Sequence, residues 1–343
     1  MRRILLISLA FVVVAVGAAA LAGAYVWRAL ERPYAGFEGE LLFDYAEGTP
    51  TRALARQLQD AGVIESEYWF LAARALRPGV TLQAGEYQFT EPASVWDVYR
   101  KLADGRVYLR PLTVPEGLTR FEVAALVAGA GYGTVDEVTA LTADPTPVKD
   151  LFPQAKTLEG CLLPETYFFA RSASAASVIG AMVDGFRKAF EKAGQGKSTP
   201  LDPYQVLIMA SLVEKETGVP TERPLVSSVY HNRLRDHMLL QCDPTIIYGL
   251  VLEDRYKGVL YEPEIRDPHP YNTYVHAGLP PGPIANPGKA SLEAAFHPAE
   301  SSFLYFVAEK RGAPQHVFSK NLAAHNKAVA QYRKTRAQEA RSR

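Results

Sequence analysis

The uncharged run from Ile4 to Trp27 restricts this chain more than any other stretch of it. A bilayer offers the backbone no hydrogen-bond partners, so an apolar run that enters one has to be helical. About 20 residues cross the hydrocarbon core, and this run is long enough to do so with some tilt. Trp27 and Arg28 stand where interfacial anchors stand. Ala20-Leu21-Ala22 resembles the small-residue site of a cleaved signal peptide, but the run is long for one. A single transmembrane anchor over 4–27 is the favoured reading. Both readings export the remainder. Basic residues flank the run on both sides, so it is the shortness of residues 1–3 that makes them the cytoplasmic end.

Lys plus Arg and Asp plus Glu balance at 37 each, so no global basic field points to nucleic acid. The 343 residues suffice for two domains beyond the anchor. Residues 28–39 read as a short polar tether. Residues 40–110 read as a small α/β module: strands at Leu41 to Tyr45 and Gly85 to Thr90, helices at Thr51 to Ala61, Glu67 to Leu76 and Ser94 to Leu102. It contains no cluster of carboxylates or histidines, which suits binding better than chemistry. Residues 111–335 read as a larger mixed domain, making the whole α+β. Helices are expected at Thr119 to Ala130, Ser174 to Ala193, Arg223 to Leu234 and Asn321 to Tyr332, with a loop at Leu158 to Tyr167 and a flexible break at Gly194 to Thr199. Asp243 to Pro287 reads as a long irregular stretch, Leu304 to Ala308 as a buried strand, and 336–343 as a solvated basic tail.

The segment DPYQVLIMASLVEKETG (202–218) carries the chemistry. Asp202 caps a helix, Pro203 fits its first turn and Gln205 completes a capping box. Gly218 and Pro220 end it. At about 100° per residue, Val206, Met209, Leu212 and Val213 form one apolar face with Glu216 among them. Ser211 and Lys215 mark the opposite, wet side, and Glu214 lies at the margin. A carboxyl among apolar groups keeps its proton toward neutral pH, as a general acid must. The bland alternative is a buried ion pair with Arg223 or Arg233.

Past this helix, Gln241, Asp243, Tyr248, Tyr271, Asn272, Thr273, Tyr274 and Asn286 combine planar hydrogen-bonding groups with aromatic faces, as a sugar chain requires. Singly, each is a common turn or core residue. The histidines at 231, 237, 269, 276, 297, 316 and 325 are scattered, with no H-E-x-x-H pair. No metal or other cofactor is expected, and there is no G-x-S-x-G elbow. Cys161 and Cys242 form one disulfide or stay as buried thiols, and both readings stand.

MASLVEKET (209–217), VYHNRL (229–234), LQCDPTIIYG (240–249), YNTY (271–274), GLPPGPIANPG (278–288), AAFHPA (294–299), LYFVA (304–308) and LEGCLLPETY (158–167) closely resemble the endolytic murein transglycosylase family (MltG, YceG-like). The resemblance extends from the membrane segment to about Tyr332. It implies a single-pass inner-membrane protein with its catalytic domain outside the cytoplasm, cutting MurNAc–GlcNAc β-1,4 bonds within nascent peptidoglycan strands to leave 1,6-anhydro ends. It also implies that residues 40–110 are LysM-like and that the second glutamate of VEKET, Glu216, is catalytic. Gln241, Asn272 and Tyr274 become candidates for holding substrate. Glycan strands and the cell membrane are the implied partners, with peptidoglycan synthases and division proteins as candidates. Cysteine at 161, where the family usually has an aromatic residue, and at 242, where it has Thr or Ser, departs from the pattern, as does Glu165 in place of Asp. A hydrolytic muramidase using Asp243 or Glu222 as second carboxylate and a non-catalytic, membrane-tethered glycan-binding scaffold are the rival readings.

Overall fold

The computed structural model describes residues 2–196, 199–310 and 313–341, with side chains between 7 and 335. Met1, residues 197–198 of the expected flexible break and residues 342–343 of the expected tail lie outside the described residues. The chain is mixed α+β and divides into two compact units, 1–110 with 168–172, and 111–167 with 173–343.

The first unit begins with α1 (Arg2–Glu31), a long apolar helix and a candidate membrane span. It runs on beyond Trp27 into the region read as a tether. The rest of that region is tied down: Tyr34 and Ala93 exchange backbone hydrogen bonds, and Gly36 N–H donates to the carbonyl of Gly62. β1 (Leu41–Tyr45) pairs antiparallel with β2 (Gly85–Phe89), Phe43 opposite Tyr87. α2 (Thr51–Asp60), α3 (Glu67–Leu76) and α4 (Val95–Ala103) close over one face of this ribbon. Leu54, Leu58, Phe70, Tyr87, Val98 and Leu102 form the core. Burying side chains of this size contributes roughly 1.5–3 kcal/mol each. Ser94 and Asp97 form a capping box that starts α4.

β3 (Leu109–Thr113) pairs with β4 (Thr166–Ala170), and the boundary between the units passes through both strands. In the second unit, α5 (Arg120–Gly129) and α6 (Val135–Ala143) precede α7 (Ala175–Ala193). α8 (Pro203–Glu216) lies at the centre, packed against α9 (Arg223–Arg235), α10 (Asp243–Leu252) and α11 (Lys289–Phe296). Phe152, Phe186, Phe190 and Tyr204 make an aromatic cluster beside it. β5 (Tyr305–Ala308) and β6 (His316–Ser319) form a hairpin, and α12 (Leu322–Arg341) ends the description.

Four expectations need correction. The irregular stretch opens with α10: Pro244 sits in a first turn, where proline suits a helix, instead of marking a loop. Ser211 is fully buried, its hydroxyl donating to the carbonyl of Ile208 and accepting from Ile284 N–H, so that part of α8 has no wet side. From Val206 to Val213 every residue of α8 is buried, as a continuously apolar stretch allows, while Lys215 stays exposed. β5 is partly exposed throughout because, among the described residues, β6 alone pairs with it. The helix read as ending at Tyr332 continues to Arg341, through residues expected to fray.

Candidate active site

Asp202 accepts from the backbone N–H groups of Tyr204 and Gln205, while Gln205 returns a bond to Asp202 N–H, so α8 starts as its sequence demands. It stops at Glu216 because Thr217 is extended, φ −144°. The last helical residue therefore opens toward loops instead of toward another turn.

Glu216 is partly exposed. Its Oε1 accepts from the Tyr230 hydroxyl of α9 at 2.8 Å, and the thiol of Cys242, just before α10, is a second donor. Burial holds both groups protonated, since it raises the pKa of each well above its usual value. Burial likewise raises the pKa of Glu216; the bonds from Cys242 and Tyr230 oppose the rise, the charge of Asp243 adds to it, and His316 opposes it. Neither candidate arginine reaches Glu216. Arg223 pairs with Glu116 at 3.0 Å and Glu214 at 3.5 Å, and Arg233 donates to the carbonyls of Leu240 and Leu304. Glu216 is a desolvated carboxyl with neutral donors.

Glu214 is its opposite. Its side chain is 5 % exposed, beside the Arg223 guanidinium, and accepts from Gly288 N–H at 2.9 Å. An adjacent cation and a backbone amide commit it to anchoring the 278–288 loop.

Among the residues expected to bind substrate, Asp243 and Tyr274 come together beside Glu216: the Tyr274 hydroxyl donates to Asp243 Oδ1 at 2.5 Å. Gln241 is exposed, one residue before Cys242, with φ +50° and its N–H bonded to the Thr273 carbonyl. A non-glycine residue held in the left-handed region marks a locally constrained turn. Thr273 is buried, bonded to Cys242 N–H and Thr245. Asn272 is buried too, its amide donating to the carbonyls of Ile265 and Asp267. These two side chains hold the loop that carries Tyr274.

Tyr248 and Asn286 meet elsewhere, at Glu159. That carboxyl is 3 % exposed and accepts from Arg120 N–H at 3.0 Å, Tyr248 hydroxyl at 2.9 Å and Asn286 Nδ2 at 3.3 Å. Burial raises its pKa to about 7, against the pull of these donors. Asn286 also accepts from Leu162 N–H and donates to the Leu118 carbonyl.

Sequence reasoning overlooked Tyr230, Glu159 and the pairing of His316 with Glu222, whose Nδ1 and Oε2 lie 2.8 Å apart. Tyr230 lies within the VYHNRL motif, and that is the signal that singles it out. Cys161 and Cys242 are both free, buried thiols.

A family model described as the YceG-like family matches residues 43–331. The endolytic murein transglycosylase of Bacillus subtilis (strain 168) is 33 % identical over 302 residues, 83 % of this chain and 82 % of that protein. Its namesake from Streptococcus pneumoniae (strain D39) is 28 % identical over 316 residues, 83 % of this chain and 57 % of the longer relative. A crystal structure of a YceG-like protein from Listeria monocytogenes aligns over 85 % of this chain and 99 % of its own, with 30 % identity and a TM-score of 0.53.

Proposed function

Since the chain belongs to the YceG-like family, we propose that it is an endolytic lytic transglycosylase of peptidoglycan, with Glu216 as its acid and base. One observation supports this assignment above the others: Glu216 is a carboxyl with a raised pKa whose donors are the neutral Tyr230 and Cys242. Protonated, it delivers its proton to the glycosidic oxygen between MurNAc and the next GlcNAc. As a carboxylate it then accepts the proton of the MurNAc C6 hydroxyl, and that oxygen closes on C1. The product ends in 1,6-anhydroMurNAc, and no water is consumed. Acid–base catalysis of this kind contributes about 10²–10⁴-fold, so positioning and electrostatics supply the rest. Asp243, Tyr274 and Gln241, at the open side of Glu216, are our substrate contacts. Tyr248, Asn272, Thr273 and Asn286 shape the loops around them.

In this reading α1 is a single-pass anchor in the cytoplasmic membrane and the second unit acts outside the cytoplasm. Residues 40–110 serve as a LysM-like glycan-binding module, and peptidoglycan synthases and division proteins are the partners such a placement suits. Mass spectrometry of products from purified glycan strands tests the chemistry. Ends lighter by one water than hydrolysis products are expected. Reducing ends would replace the transglycosylase with a muramidase using Asp243 or Glu222. Binding without cleavage would leave the scaffold.

A further inference from the structure

The helix α1 outlasts the hydrocarbon. About 20 residues from Ile4 bring the edge of the apolar layer near Gly23, yet the helix continues to Glu31. Its last turns belong to the first unit: Leu30 is fully buried in that core, and Val26 packs against it. A cavity of about 1130 Å³ opens between this stretch and helices α3 and α4. At about 1.5 Å per residue, its α1 wall, from Ala22 to Glu31, is about 14 Å long and runs through the headgroup layer, about 5–8 Å deep, and beyond it.

The lining is amphipathic in a particular order. At the membrane end, Ala22 and Gly23 leave a notch, with no heavy atom within 4 Å of where a Cβ on Gly23 would stand. Trp27 and Trp96 follow, ring centroids 6.1 Å apart. The Arg77 guanidinium lies 5.9 Å from the centre of the Trp96 ring. Trp96 Nε1 is shielded from solvent and makes no hydrogen bond, so the ring meets the groove through its apolar surface. Arg100 is committed to Asp97 at 2.7 Å and Asp104 to Arg106 at 3.3 Å. Among the described residues, Arg77 and Glu31 are the lining charges left without an ion pair.

We propose that this groove binds a zwitterionic phospholipid of the phosphatidylethanolamine type. Its phosphate lies on Arg77, its ammonium on Glu31, and an acyl chain follows the Ala22–Gly23 notch. One open cation and one open anion select this headgroup over an anionic one, whose phosphate on Arg77 would leave Glu31 without a counter-charge. The proposal rests on α1 being a membrane anchor, and it extends that reading from insertion to lipid selection.

The three tryptophans, Trp27, Trp69 and Trp96, all lie in this unit, so tryptophan fluorescence, excited selectively over tyrosine, reports on it alone. Full-length protein is reconstituted into nanodiscs carrying phosphatidylethanolamine or phosphatidylglycerol with brominated acyl chains. Brominated phosphatidylethanolamine is expected to quench more strongly at equal mole fraction. Arg77→Ala should weaken its apparent affinity about tenfold, the effect of one lost charge-assisted bond. Glu31→Gln should erase the headgroup preference. Equal quenching by both lipids, unchanged quenching in Arg77→Ala with native circular dichroism, or full competition by free inorganic phosphate would each overturn the lipid site. If Arg77→Ala fails to fold, Glu31→Gln decides by the same comparison. Protein that never enters the disc would overturn the anchor itself, a result distinct from insertion without selectivity.

Discussion

Glu159 and Glu216 are the same residue in the same unit, both desolvated and both with raised pKa values, and they are built for different ends. Glu159 is sealed, with an amide N–H, a phenol and a carboxamide converging from three distant segments. Glu216 stands at a helix end, partly open, with one phenol and one thiol. A raised pKa alone therefore does not mark a catalytic acid. A carboxyl whose oxygens are all engaged and closed to solvent ties segments together; one with spare acceptor capacity and an open side can trade protons with a ligand.

The largest expected effect separates the two. Glu216→Gln keeps the shape and an oxygen to accept from Tyr230 but cannot cycle a proton, so cleavage should fall by about 10²–10⁴-fold with the fold retained. Equal loss of cleavage in folded Glu159→Gln would erase the distinction drawn between the two carboxyls.

Glu159 should instead appear in stability. Its folded pKa, about 7, exceeds the ordinary 4.5, so the folded state binds the extra proton. Its stabilising contribution is full below pH 4.5 and is lost as pH rises through 7, a change of about 3 kcal/mol. Denaturant titrations from pH 4 to 8 should show this decline in the wild type and a flatter profile in Glu159→Gln.

What could be read ahead follows from how far apart the partners lie in the chain. Asp202, Pro203 and Gln205 cap the turn they belong to, and Glu216 takes its place from helical spacing, so α8 and the desolvated carboxyl at its end were legible from local sequence. Glu159 takes its role from Arg120, Tyr248 and Asn286, which are 39, 89 and 127 residues away; no local pattern announces such a meeting. The β5–β6 hairpin was half seen because each strand has only four residues, too few for alternation to stand out. α10 was misread because Asp-Pro signals a turn and a helix start equally well.

Glu214 tests the comparison within one helix. It shares Arg223 with Glu116 and holds Gly288 N–H, so Glu214→Gln removes a buried charge partner without touching the acid. A stability loss of about 1–3 kcal/mol is expected, with cleavage by the folded fraction within a few-fold of wild type. Cleavage lost as completely as in Glu216→Gln would reassign the acid.

The finest test removes one phenol from each carboxyl. Tyr230 lowers the pKa of Glu216 by donating to it, so Tyr230→Phe should raise that pKa further. The acid form then persists to higher pH, and the alkaline limb of kcat/KM moves up, while weaker proton donation lowers the maximum by less than about tenfold. Tyr248 makes the same bond to Glu159, yet Tyr248→Phe should leave the pH–rate profile in place and cost about 1 kcal/mol of stability. The two substitutions are chemically identical, so any difference between them belongs to the two carboxyls. A shifted pH–rate profile in Tyr248→Phe would couple Glu159 to the chemistry through α10, which carries both Tyr248 and Asp243.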